Sequence, residues 1–167
     1  MTLSVHQKSI YLILFNATMI SRSVGKTLKA TGRAKLASFK IRVFEEVESL
    51  IAAMDTGTLT EPAIMGSIQA LANEFGISVG QAQKAINVIL KYHFYLTRPE
   101  DQAIRRVLHC PIDSVVQKRL HRRVIPLTRI GMTEYVALQQ EIQSRSLCRL
   151  DFDTVWDEQH LHDEGIL

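Results

Sequence analysis

The stretch Ser78-Val79-Gly80-Gln81-Ala82-Gln83-Lys84-Ala85-Ile86-Asn87-Val88-Ile89-Leu90-Lys91-Tyr92 decides the fold class. Ser78 with Gln81 three residues on is a capping-box pattern, which opens a helix by satisfying two of its free backbone N–H groups. At 3.6 residues per turn, Ala82, Ala85, Ile86, Ile89 and Leu90 form an apolar stripe, and Lys84, Asn87, Val88 and Lys91 share another face. The spacing predicts a helix from Ser78 to about Leu96.

The same periodicity extends in both directions. Residues 4–20 read as a helix with apolar residues on more than one face, which implies burial. Residues 21–33, punctuated by Gly25 and Gly32, read as a loop or fraying turn. Leu36, Phe39, Val43, Phe44, Val47, Leu50 and Ile51 recur at three and four residues and predict a helix over 34–54. Another begins near Thr60, with Pro62 in its first turn, and ends at Gly76, a left-handed cap. After a connection over 97–110 with a turn of helix at 102–108, further helices are expected from Asp113, over 133–146, and as a short piece after Asp153. No run alternates in the manner of a strand. The expectation is one all-α domain over residues 1–167, a bundle of about six or seven helices.

Hydrophobic residues make up 46% and charged residues 22% of the 167, ordinary for a globular chain. The two cysteines, Cys110 and Cys148, exclude a disulfide scaffold, and a cytoplasmic setting is the default reading. The apolar run from Ile10 to Ile20 is too short to span a bilayer and lacks the flanks of a signal peptide, so no membrane partner is expected. The net charge is +3, but unevenly spread: +4 over residues 1–97, +5 over 98–129 and −6 over 130–167. Arg22, Lys26, Lys29, Arg33, Lys35, Lys40 and Arg42 follow one another with no acid between them. Two basic stretches suit a polyanion such as nucleic acid; alternatively, the acidic tail folds against a basic face.

One constellation suggests a reaction. Lys84 stands in the first turns of an apolar helix, and Pro111-Ile112-Asp113-Ser114 follows. Burial and the positive end of the helix dipole favour the neutral amine, the nucleophilic form. An aspartate beside it would orient the amine and stabilise developing positive charge. The bland alternative is a solvent-exposed lysine on an amphipathic helix.

Ser78-Val79-Gly80, then Lys84 on its apolar helix, then Pro111-Ile112-Asp113-Ser114-Val115-Val116 with basic residues after it, resembles the helix-hairpin-helix DNA glycosylase superfamily. The closest likeness is to the divergent archaeal 8-oxoguanine glycosylases, over residues 76–123. The stretch is also similar to a family of small uncharacterised bacterial proteins with a Gln-Lys…Asn…Lys-Tyr helix and a His-Cys-Pro-x-Asp segment. The glycosylase resemblance implies a hairpin at 76–80, catalytic Lys84 and Asp113, and a flipped base removed through a lysine imine, with lyase cleavage able to follow. It implies nucleic acid as partner, DNA before RNA. Ser78, Gly80, Gln83, Lys91, Arg105, Arg106, Lys118, Arg119, Arg122 and Arg123 would then contact it, the hairpin amides holding a phosphate. Tyr92, His93, Phe94 or Tyr95 would stack on a base or belong to the core. No cofactor is implied.

Val24-Gly25-Lys26-Thr27 ends like a phosphate loop but lacks the earlier glycine and a preceding strand. His109 and Cys110 with the distant Cys148, His160 and His162 could form a composite metal site, but their spacing is unspecific; Asp151, Asp153 and Asp157 lack the calcium-loop spacing and its glycine. Cys110 reads as a buried apolar residue and Trp156 as an anchor for the last helix. Two further readings stand beside the enzyme. One is a non-catalytic helical nucleic-acid-binding module, which expects an exposed Lys84. The other is a protein–protein interaction module, a regulator or phage-defence component, which expects an exposed apolar patch.

Overall fold

The computed structural model describes residues 3–20, 24–30 and 32–166. Arg22 and the side chains of Lys29, Arg33, Trp156, Asp157 and His160 lie outside the described residues, and so do the expectations resting on them. Among the described residues there are nine α-helices and no strand: α1 (Val5–Phe15), α2 (Val24–Ala30), α3 (Arg33–Asp55), α4 (Glu61–Phe75), α5 (Val79–Thr97), α6 (Gln102–Val107), α7 (Ser114–Arg119), α8 (Met132–Arg145) and α9 (Arg149–Asp163). The expected all-α bundle of about six or seven helices is present, with α2 and α6 as short additions. No described helix is long and apolar enough to cross a membrane.

α5 is the axis of the molecule. Fourteen of its 19 residues are buried, so the capping box at Ser78 starts a helix with neighbours on nearly every side. α4 leads into it through Gly76, whose φ of 62° reverses the chain where a side chain would be strained. Thr60 caps α4 as its sequence implies. α3 presents Phe39, Val43, Val47, Leu50, Ile51 and Met54 to the core, and α1 contributes Tyr11 and Phe15. Phe39 sits edge-on to Phe75 with ring centroids 5.1 Å apart.

Two expectations are overturned. Glycine punctuation predicts a loop over residues 21–33, yet α2 forms there and buries Val24 and Leu28. Burial of those two side chains outweighs the modest helix cost of Gly25. The last helix is longer than the short piece expected after Asp153; α9 starts at Arg149, because Arg149 is itself a buried anchor. At the other end, α1 passes into a π-helical turn at Asn16–Ile20.

The second half of the chain is organised by an extended segment, 108–113, threaded between α5 and α8. It has no strand to pair with. Two buried glutamines take that role. Gln139 of α8 accepts from the Cys110 N–H at 3.1 Å and donates to its carbonyl at 2.7 Å. Gln83 of α5 does the same to Ile112, at 3.1 and 2.7 Å. A third glutamine, Gln117 of α7, clamps Ile125 in the same two-way fashion. A primary amide carries a donor and an acceptor side by side, so it mimics one rung of a sheet.

Deleting one of these amides leaves a buried N–H and a buried C=O without partners, at about 1–3 kcal/mol each. Gln139→Ala is therefore expected to lower unfolding free energy by about 2–5 kcal/mol, measured by urea denaturation. Substituting the exposed neighbour Gln140 by Ala should change it by less than about 0.5 kcal/mol.

Candidate functional site

The predicted pair is brought together. Lys84 Nζ donates to Asp113 Oδ2 at 3.2 Å, from a lysine side chain that is 15% exposed. The exposed lysine of the non-catalytic reading is thus not observed. Asp113 also caps α7: its Oδ1 accepts from Val115 N at 2.8 Å and Val116 N at 3.0 Å. Both carboxylate oxygens are engaged, one by a helix terminus and one by an amine. Surface cavities of about 480, 450 and 380 Å³ lie elsewhere, and neither Lys84 nor Asp113 lines any of them.

The expected phosphate cradle at the start of α5 is closed. Gly80 N–H donates to Ile130 O at 3.0 Å, and Ser78 Oγ donates to Leu127 O at 2.6 Å. A 3₁₀ turn at Leu127–Arg129 packs so tightly there that a Cβ on Gly80 would fall 2.4 Å from the Leu127 carbonyl oxygen. Gly80 is a glycine because another backbone occupies the space that a phosphate would need. The capping box itself uses the Ser78 hydroxyl and Gln81. Ser78 and Gly80 are corrected accordingly, as is Gln83, whose amide holds Ile112.

The polar face of α5 is continuous, as its spacing implied, but it points inward. Below Lys84 and Gln83 comes Asn87, donating to Tyr135 Oη at 2.9 Å, then Lys91, 4% exposed and 2.6 Å from Asp153 of α9. Lys91 is therefore a buried ion-pair partner and not a surface contact. α9 engages two further residues of the expected nucleic-acid face. Asp151 pairs with Arg105 at 2.6 Å, and the Arg119 guanidinium stands 5.2 Å over the Phe152 ring and donates to the Phe152 carbonyl at 2.7 Å. Arg122 is held by Glu134 and Glu141 of α8. The tail does fold against basic residues. Of the expected nucleic-acid contacts, Arg106, Lys118 and Arg123 remain exposed and without an ion pair among the described residues, as do His121 and Arg129 near them.

Sequence reading missed a buried network beside this face. His109 Nδ1 meets Tyr135 Oη at 2.5 Å, and its Nε2 meets Glu61 Oε1 at 3.1 Å. Arg149 grips both oxygens of Glu61, at 2.6 and 3.1 Å. A neutral His109 with its proton on Nε2 satisfies both neighbours, the Tyr135 hydroxyl donating to Nδ1. Burial, then the Arg149 cation, pushes His109 down to about 4 against the pull of Glu61. The Arg149 hydrogen bond holds Glu61 below its usual range, and burial pushes the Tyr135 hydroxyl up. The adjacent Cys110 is fully buried, as expected, and burial raises its thiol. No cluster of three metal-ligating side chains occurs among the described residues.

Of the aromatic candidates, His93 and Phe94 belong to the core, and Tyr92 reaches solvent. Val5, Ile10 and Ile13 of α1 and Ile41 of α3 are exposed. No protein-family model, curated protein or solved structure matches the chain.

His109 gives the molecule a pH dependence of definite sign. The unfolded chain takes up a proton near 6.5 and the folded one only near 4, so the unfolded state binds more protons between those values. Stability is expected to fall as pH drops from 6.5 to 4, by about 3 kcal/mol from this group, with Glu61 adding to the loss as it protonates. Urea midpoints at pH 7, 5.5 and 4 measure it, and His109→Gln should flatten the decline.

Proposed function

We propose that the chain is a helical module that binds nucleic acid as a polyanion, through the loop running from Lys118 to Arg129. The observation carrying this reading is the charge left over once internal pairing is complete. Lys118, His121, Arg123 and Arg129 are exposed with no acid partner among the described residues, while neighbouring basic residues are engaged internally. The loop is also held in one shape. Gln117 clamps Ile125, Arg122 N donates to Gln117 O at 3.2 Å, and His121 adopts a left-handed φ of 57°. A loop already ordered loses less entropy on binding than a floppy one. Such contacts would be phosphate contacts, strong in low salt and blind to sequence. In this reading Lys84 and Asp113 tie α5 to α7.

The imine-forming glycosylase is the second reading, favoured by the 3.2 Å Lys84–Asp113 approach. It requires the amine to leave the carboxylate and reach a sugar carbon in a pocket that opens on binding.

Fluorescence anisotropy with labelled duplex, single-stranded DNA and RNA over a salt series tests the first reading. Binding should weaken linearly in log–log form, and joint Lys118→Gln, Arg123→Gln and Arg129→Gln changes should reduce the slope by about 3 on duplex DNA. Absence of binding at low salt sinks it. Borohydride reduction on an abasic-site duplex decides the second: a covalent adduct that disappears in Lys84→Ala and persists in Lys91→Ala would establish imine chemistry.

A further inference from the structure

The groove of about 480 Å³ between α1 and α3 belongs to none of the groups above. The two helices run antiparallel along it: Lys8 Nζ meets Glu48 Oε1 at 2.6 Å, and further along, the Phe15 and Phe39 rings stand 6.0 Å apart. The lining is mostly apolar. Val5 and Leu12 of α1, two helical turns apart, share one wall, and Ile41 and Phe44 of α3 form the other. Val5 is 78% and Ile41 62% exposed, so branched apolar side chains stand in water on both sides of a concave apolar surface. A lone exposed isoleucine needs no explanation, but apolar walls facing one another across a groove mark a contact surface.

The charges on the rim restrict what covers it. Lys40 lies half-buried on the α3 side, with no ion-pair partner among the described residues. Glu45, on the other side of Ile41 and Phe44, is exposed and shares the Arg42 guanidinium with Glu46 and Glu74. One cation among three carboxylates leaves that cluster negative. Glu48, further along the same face, is already neutralised by Lys8. The face thus carries an unpaired cation and an incompletely neutralised anion, five residues apart and flanking two apolar residues. Helices joined along an apolar seam pair opposite charges across it from such flanking positions. A partner of a single charge sign would satisfy one of these groups and oppose the other. A second copy satisfies both, because the two-fold that sets Lys40 against Glu45 also sets Glu45 against Lys40.

We propose that the α1–α3 groove is a homodimer interface, in which two copies meet face to face about a two-fold axis. Ile41 and Phe44 lie at its centre, and Lys40 of each copy pairs with Glu45 of the other.

Sedimentation velocity of the full chain over roughly 1–200 μM reads the association. Dimer is expected to appear as the concentration rises. Lys40→Glu sets like charges together twice in every dimer, and so does Glu45→Lys; each is expected to weaken association by about tenfold. An equimolar mixture of the two variants restores both pairs, so it should form a one-to-one heterodimer about as tight as the unaltered dimer. Ile41→Gln should weaken association as well, with the circular dichroism spectrum of the monomer unchanged. The proposal is overturned if the unaltered chain stays monomeric over the whole range, if a dimer forms that neither charge reversal weakens, or if the mixture of the two folded variants associates no better than each alone.

Discussion

The two-way hydrogen bonding of Gln83 and Gln139 to the backbone of residues 110 and 112 is the constraint on which the second half of the molecule depends. An extended peptide inside a helical protein has no natural partner for its N–H and C=O groups, and leaving them bare in the core is costly. Fixing residues 110 and 112 fixes the residues on either side. His109 is delivered to Tyr135 and Glu61, and Asp113 to Lys84 and the start of α7. The Lys84–Asp113 approach that looks like chemistry in the sequence is thus an outcome of how the segment is threaded.

Helix positions were legible because their signals are local. Ser78 with Gln81, Thr60 with Pro62, and Gly76 each act within one turn of the chain, and all three stand where the sequence put them. The three- and four-residue spacing of Phe39 to Met54 likewise needs no knowledge of its partners. The roles of polar residues were not legible, because they depend on what lies across the core. Gln83, Asn87 and Lys91 sit on one face at helical spacing, and nothing in that spacing says whether the face meets water, phosphate or another helix. Gly80 shows the same difficulty: a glycine near a helix start reads as an anion cradle, and here it admits a neighbouring backbone. The Lys84–Asp113 pairing was anticipated from a lysine on an apolar helix and an aspartate after a proline, and the two side chains do meet.

Charge behaves in the same divided way. Counted along the chain, residues 98–129 are net basic and 130–167 net acidic. In three dimensions α8 and α9 turn their acids toward Arg122, Arg105 and Lys91, which buries Lys91 and neutralises the two arginines. The residual positive surface is smaller than the sequence implies, and most of what residues 98–129 leave of it lies on one clamped loop. Long-range steering of a polyanion depends on that remainder of charge and not on the total.

The Glu61–Arg149 ion pair has a consequence for the order in which the chain assembles. Its partners are 88 residues apart, whereas the caps and the α4–α5 hairpin close over a few residues. Contacts that enclose long loops are entropically late, because the chain between them must already be ordered before the contact gains anything. Helices α3 to α5 can collapse on one another first, and α9 is the closing piece, docking onto a surface that exists only when 108–113 has been threaded. During synthesis from the N-terminus, that docking must wait for Arg149 to emerge, so the nascent chain carries Lys91 and His109 for a time without their final partners.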